Sequence, residues 1–429
     1  MTTQSPSVPQ AADAELPAVL GGFDLTDQAG YAAGVPYDVF ARLRREAPVF
    51  YHPQGRTADG DGFWVLTRHA DIARAASDPV FSAQGGGSRA GGGSHLDDLP
   101  FATLAGVLFA MMDNPRHDRV KKLLAPAVTG AVALGLSDEL RSSAHHLLQS
   151  ALDATGPVDF VDDVAEPFAL QSIAVLLGAP RADWPQLTAW VHEVLGFIDR
   201  RTGEIDEHSR ATFVEMQQYF GRMLDAKRAD PADDLGTLLA VGEIEGDSTP
   251  LTAKEREANA NLILITGLEQ PRNTVAGGVL ALAHHPEQWQ KLRADRTLLT
   301  SAVEEILRWN PPNPYNRRTA TQDVDLHGTL IRAGEKVTLW WPSANRDESV
   351  FAEADTFDIT RDPNPHLSFG HGIHLCLGEQ FARLQLRLFL TELLDTVAEI
   401  RLTGPVVHAP NNKHTVLLDM PVELVPATA

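Results

Sequence analysis

The sequence predicts a mainly α protein with small β-sheets. Three observations carry that reading. Long stretches repeat apolar residues at helical spacing, strand-like runs are short and lie near both ends, and no low-complexity linker divides the middle of the 429 residues. Met1–Leu20, rich in Ser, Thr, Pro, Gln and Ala, reads as a disordered tail, which leaves residues 21–429 as one domain.

Taken in order, Phe63–Leu66 has the β-branched and aromatic content of a strand. Gln84–Ser94 reads QGGGSRAGGGS and by composition is a flexible surface insertion or a mobile lid. Helical periodicity follows over Ala131–Leu152, Glu166–Leu177, Trp184–Phe197 and Thr212–Lys227. Arg228–Pro250 is acidic and turn-rich and reads as a surface connection. Thr252 with Glu255 three residues on makes a capping box, the start signal for a long helix over Ala253–His284. Helical spacing returns at Leu298–Trp309 and Glu379–Leu393, with strands at Thr329–Ile331, Lys336–Leu339 and Val416–Val422.

Composition narrows the function. Lys plus Arg number 36 against 57 Asp plus Glu, a formal charge of −21. Nucleic acid and anionic membranes need basic surface, so that balance argues against both. A single cysteine makes no internal disulfide and holds no Cys-ligated cluster, which fits a reducing compartment. The N-terminus has neither a basic n-region nor an apolar h-region. The longest apolar candidate for a membrane span, Asn261–Ala283, is interrupted by Glu269, Gln270, Pro271, Arg272 and Asn273. The expected location is the cytoplasm.

The lone cysteine carries the main signal. Cys376 lies in Phe369-Gly370-His371-Gly372-Ile373-His374-Leu375-Cys376-Leu377-Gly378, a glycine-rich loop just before a helix. A sulfur at a helix N-terminus meets the positive end of the dipole and backbone N–H groups, both of which favour thiolate. Glycines let the backbone turn sharply and come close to a flat object. This loop resembles the heme-binding loop of the cytochromes P450, FGxGxHxCxG.

The resemblance implies heme b held by Cys376 as proximal iron ligand, with Phe369, Gly370 and Gly378 shaping the loop and His374 on a heme propionate. It implies the P450 fold, one triangular-prism-like domain with the heme between the long central helix and the helix after the Cys loop. Further motifs agree. Glu305-Ile306-Leu307-Arg308 matches the family's ExxR, whose i, i+3 pair shares a helix face. The family usually adds an arginine before the heme loop, where this chain has Thr356. Arg318-Thr319-Ala320-Thr321 resembles the RxAT strand, implying a propionate contact for Arg318. Asp113–Arg119 resembles the DPPxHxxxR segment, implying propionate contacts for His117 and for Lys121, which stands where the family has arginine. Arg116, Arg119 and Lys122 on the same helix suit an acidic electron donor.

The central helix departs from the family. P450 chemistry needs two protons on the distal side of the heme, and an A-G-x-D/E-T pattern usually organises them. Here the segment is Thr266-Gly267-Leu268-Glu269-Gln270-Pro271-Arg272-Asn273. Gly267 and Glu269 match, giving room for oxygen and an acid. Gln270 replaces the threonine; its amide can hold a water but is no hydroxyl relay. Pro271 removes the hydrogen bond to the Gly267 carbonyl, so a kink or opening is expected. A substrate hydroxyl or a water on Gln270 would then stand in for the threonine.

The resemblance therefore implies a heme-thiolate monooxygenase acting on a small or mid-sized organic substrate with O2. Electrons would come from NAD(P)H through a separate ferredoxin and reductase to a monomeric enzyme. Tailoring of a natural product is the first expected role, and catabolism of a terpenoid, steroid or aromatic compound the second. Coupling, desaturation, rearrangement or peroxide-driven chemistry, and a non-enzymatic heme sensor, are the rivals. Leu104, Val107, Leu108 and Phe109, with Phe101, are expected to line an apolar pocket. Tyr315 and the asparagines Asn313 and Asn316 would meet hydroxyl or carbonyl groups of the substrate.

Overall fold

The computed structural model describes residues 16–57, 59–89, 91–100, 104–196, 206–244, 246 and 250–427. Helices dominate, as expected, and five small sheets accompany them among the described residues. The largest sheet has five strands in the order Val49–His52, Phe63–Leu66, Lys336–Trp340, Tyr315–Ala320 and Phe81–Ser82. Within it, Lys336–Trp340 runs parallel to Phe63–Leu66 and antiparallel to Tyr315–Ala320, with Val337 opposite Arg318.

The central helix spans Ala253–His284 and begins with the predicted capping box. Glu255 N–H donates to Thr252 Oγ1 at 3.2 Å, and Thr252 N–H donates to Glu255 Oε2 at 2.8 Å. The helix continues through Pro271. It threads two apolar cores. Ala260, Leu264 and Leu268 belong to one, built on Val120, Leu177, Met216 and Phe220. Val275, Val279 and Leu282 belong to the other, built on Phe160, Ile306, Phe389 and Leu393.

Several expectations need correction. The tail expected over residues 1–20 is shorter at its inner end, because Leu20 is fully buried in a core with Phe40 and Trp340; Met1–Glu15 lie outside the described residues. The helix expected over Ala131–Leu152 is two, Gly130–Gly135 and Ser137–Leu152. Phe197 of the predicted Trp184–Phe197 helix is outside the described residues, and the helix ends at Leu195. The presumed connection Arg228–Pro250 contains a helix, Leu235–Val241, that buries Leu235 and Leu239 and is capped by Asp234 accepting from Thr237 N–H at 2.7 Å. The strand Val416–Val422 is divided into Leu417–Asp419 and Pro421–Pro426, where Pro421 has no N–H to continue a ladder.

The glycine-rich segment is not a loose insertion where it is described. Gly91–Gly92 pairs with Leu99–Pro100. Arg89 ties the turn to Asp59 at 3.2 Å and to Asp61 and Asp98 at 2.5 Å. Among the described residues, no single helix is long and apolar enough to cross a membrane.

Candidate active site

Cys376 follows a short turn, Gly372–His374, and precedes the helix Glu379–Thr396. Gly370 and Gly372 take φ of 75° and 69°, the left-handed region that favours glycine. Cys376 N–H donates to the Phe369 carbonyl at 2.8 Å, which closes the loop. The Cys376 side chain is exposed although protein surrounds it deep in the fold, so it borders interior space. Desolvation pushes its thiol above the usual range, while the Gly378 N–H, Lys121 and Arg383 favour thiolate. Binding a metal ion, whose charge replaces lost solvation, deprotonates such a thiol.

Beside the loop the structure gathers three side chains with nitrogen donors, His117, His374 and Arg318. The His117 and His374 rings lie 4.4 Å apart. His374 is half-buried, and neither of its ring nitrogens has a hydrogen-bond partner among the described residues. Burial, then Arg318, His117 and Lys121, push its pKa down to about 2. Arg318 is 4% exposed, its Nη1 donates to the Arg317 carbonyl at 2.9 Å, and its Nε has no partner among the described residues. Burial lowers its pKa to about 10. Burial also lowers His117, against a contact with Asp118 at 3.2 Å. Buried donors without acceptors cost about 1–3 kcal/mol each. An anionic group set among them removes that cost, so the donor set fits the carboxylates of heme beside a cysteine ligand.

Lys121 is placed differently from expectation. Its Nζ donates to the carbonyls of Ile373 at 2.9 Å and Leu375 at 2.5 Å. It clamps the Cys loop through these two carbonyls, using two of the three donors of its ammonium. Arg116 is likewise engaged, with Glu255 at 2.7 Å, so it is not part of a free basic spot.

The ExxR pair is fully buried, with Arg308 Nε and Nη2 each 2.8 Å from the Glu305 carboxylate. The third partner is Arg361, whose Nε lies 3.2 Å from Glu305 Oε2. The sequence reading missed it, since the family position holds Thr356. Thr356 instead offers its carbonyl to Arg308 and Arg361.

On the central helix, Asn259, Leu262, Thr266 and Gln270 form one stripe at helical spacing. Asn259 closes one end, accepting from Phe109 N–H at 2.8 Å and donating to the Val107 carbonyl at 3.0 Å. Gln270 closes the other, its Nε2 3.3 Å from His414 Nδ1 and its Oε1 buried. Residues Glu255–Ala283 are all described, and Thr266 is the one exposed residue among them. Open space therefore lies over Thr266, between the Val107–Met111 segment and His414. Phe109, on that segment, faces His117, 6.5 Å away between ring centroids, which links this space to the donors beside the Cys loop.

Three distal expectations change. Gly267 gives no room on the open face: a Cβ there would sit 2.4 Å from Ile173 Cδ1, so the glycine serves helix packing. Glu269 is buried and accepts from Asn273 Nδ2 at 2.6 Å, away from that face. Gln270 commits its Nε2 to His414, and its Oε1, buried without a partner among the described residues, is the atom left to hold a water.

The substrate-contact readings divide. Val107 and Leu108 pack with Met111 and Ala258, with Leu104 and Leu262 against them; Phe101 lies outside the described residues. Tyr315 is fully buried against Trp340, ring centroids 4.6 Å apart, and the Asn316 oxygen accepts from Trp341 at 3.0 Å and Asn313 at 3.1 Å. Tyr315 thus faces the core, whereas Asn313 and Asn316 are part-buried and bond to each other.

Comparison with known proteins identifies the family. The cytochrome P450 family model matches residues 168–398. The chain is 42% identical over 409 residues to cytochrome P450 126 of Mycobacterium tuberculosis, covering 94% of this chain and 98% of that one. It is 34% identical over 407 residues to linalool 8-monooxygenase of Pseudomonas putida, covering 94% and 99%. Among solved structures, Mycobacterium marinum CYP268A2 in complex with pseudoionone matches with a TM-score of 0.83 at 32% identity, covering 94% and 98%. The chain thus belongs to the cytochrome P450 family, heme b enzymes of the monooxygenase class.

Proposed function

We propose that this monooxygenase hydroxylates a largely apolar, branched isoprenoid-like molecule, using O2 and electrons from NAD(P)H through a separate ferredoxin and reductase. The observation that carries the substrate class is the wall of the distal space. The apolar cluster of Val107, Leu108 and Met111, with part-buried Leu262 against it, borders that space beside Thr266 in this reading, while Tyr315 is buried in the core against Trp340. An apolar wall selects by shape and buried area, at roughly 25 cal/mol per Å². The likeness to a linalool 8-monooxygenase supports the same class and favours terpenoid chemistry over natural-product tailoring.

In this reading Cys376 ligates the iron through its sulfur, and His117, Arg318 and His374 take the heme propionates. Lys121 steadies the loop that carries the sulfur, and Phe369, Gly370 and Gly378 let the backbone approach the ring. Bound heme supplies activation of O2, and its thiolate ligand favours O–O cleavage. The protein's part is to hold the substrate over Thr266 with water excluded by Val107 and Leu108. The chain works as a cytoplasmic monomer.

A spin-shift titration with acyclic terpenoid alcohols, straight-chain fatty acids and sterols, followed by product analysis, tests the substrate class. The terpenoids should shift the spin state and yield hydroxylated product. A response confined to fatty acids or sterols refutes the isoprenoid class.

A further inference from the structure

We propose that Thr266 supplies the hydroxyl that relays protons on the distal side, one helical turn before the position filled by Gln270. The proposal rests on the P450 reading above and adds a residue to it.

Four observations converge. Thr266 is the one exposed residue from Glu255 to Ala283, so it is the point where the buried helix meets open space. Its Oγ1 donates to the Leu262 carbonyl at 2.8 Å, which fixes the hydroxyl on the helix and leaves its oxygen able to accept from a water. Gln270, four residues on, shares its face, but its Nε2 is directed at His414 and its Oε1 is buried. Glu269 is bonded to Asn273, so the acid and alcohol of the usual pair are not assembled on this face. The stripe thus offers one polar group to the space, and it is a hydroxyl.

A hydroxyl can do what an amide cannot. When the O–H turns from the Leu262 carbonyl to the open side, it passes its proton to a water there and regains one from a second water, and the threonine ends unchanged. Two such transfers match the two protons taken up when O2 and two electrons convert a C–H bond to an alcohol and water. The shift by one turn moves the relay about 6 Å along the helix axis. The neighbouring Gly267 cannot share the task, since it faces Ile173.

The test compares the heme-loaded wild type with Thr266→Val, Thr266→Ser, Gln270→Ala and Thr266→Val/Gln270→Thr. The infrared C–O stretch of the ferrous CO complex reads polar groups near the ligand without turnover. Peroxide released per NAD(P)H consumed, with linalool as probe and a surrogate ferredoxin and reductase, reads proton delivery. Thr266→Val should shift the C–O stretch and raise the peroxide share several-fold. Thr266→Ser should match wild type, and Gln270→Thr should recover part of the loss in the double variant. An unchanged stretch and peroxide share in Thr266→Val overturns the proposal, as does a loss in Gln270→Ala that equals it. A thiolate-type CO band in every variant shows the site intact; its absence from wild type refutes the P450 reading instead.

Discussion

Arg308 shows how much one side chain can organise. Its five N–H groups are all used: two on Glu305, and one each on the carbonyls of Asn345 at 2.9 Å, Ala354 at 2.8 Å and Thr356 at 3.0 Å. Lysine has three donors and no fork. Arg308→Lys should therefore lose roughly 3–5 kcal/mol of folding stability, the scale for breaking a buried pair, measured by urea denaturation. The pair was legible as two residues three apart on a predicted helix. Arg361 was not, because it comes from a loop whose path the sequence does not state. Glu304, next to the pair, carries a pH signature. Burial works to raise its pKa, but hydrogen bonds from His366 and Arg383 outweigh it and hold the carboxyl at about 2, against an ordinary 4.5. A depressed carboxylate stabilises fully above 4.5, and the contribution disappears as pH falls through 2. The stability gap between wild type and Glu304→Gln should be constant near neutrality and shrink across that window, as read from denaturant midpoints.

At the scale of the element, helix boundaries were the most legible feature. Glu166–Leu177 and Ala253–His284 stand where periodicity and the capping box put them. What each face touches was not legible. Gly267 matched a family position, yet its lack of a side chain serves the contact with Ile173. Gly267→Ala should cost about 1–3 kcal/mol through overpacking, and adding Ile173→Ala should recover part of it, as followed by thermal unfolding. The glycine-rich segment misled for a related reason. Composition cannot separate glycines that loosen a chain from glycines that let backbones touch. A Cβ on Gly87 would sit 2.3 Å from Gly334 N, and one on Gly92 would sit 2.0 Å from Gln84 O. Those contacts, with the carboxylates around Arg89, order the segment.

At the scale of the whole molecule, one long helix runs through two apolar cores and opens to interior space at a single residue. The Cys loop is held by Lys121 and by Arg308 through Asn345, which bonds Ser368 at 2.8 Å, and the donors His117, Arg318 and His374 gather beside it. The proximal half could be read from sequence because its motifs are contiguous. The distal half could not, since the stripe from Asn259 to Gln270 gains meaning only from segments more than a hundred residues away, at Val107 and His414. The central claim is that Cys376 supplies a thiolate to heme iron. The most direct test is the CO difference spectrum of the reduced, heme-loaded protein. Wild type should give the red-shifted Soret band of a thiolate-ligated heme, and Cys376→His should move it to the histidine-heme position. A histidine-type band in the freshly prepared wild type, or a thiolate-type band that survives in Cys376→Ala, would contradict the account.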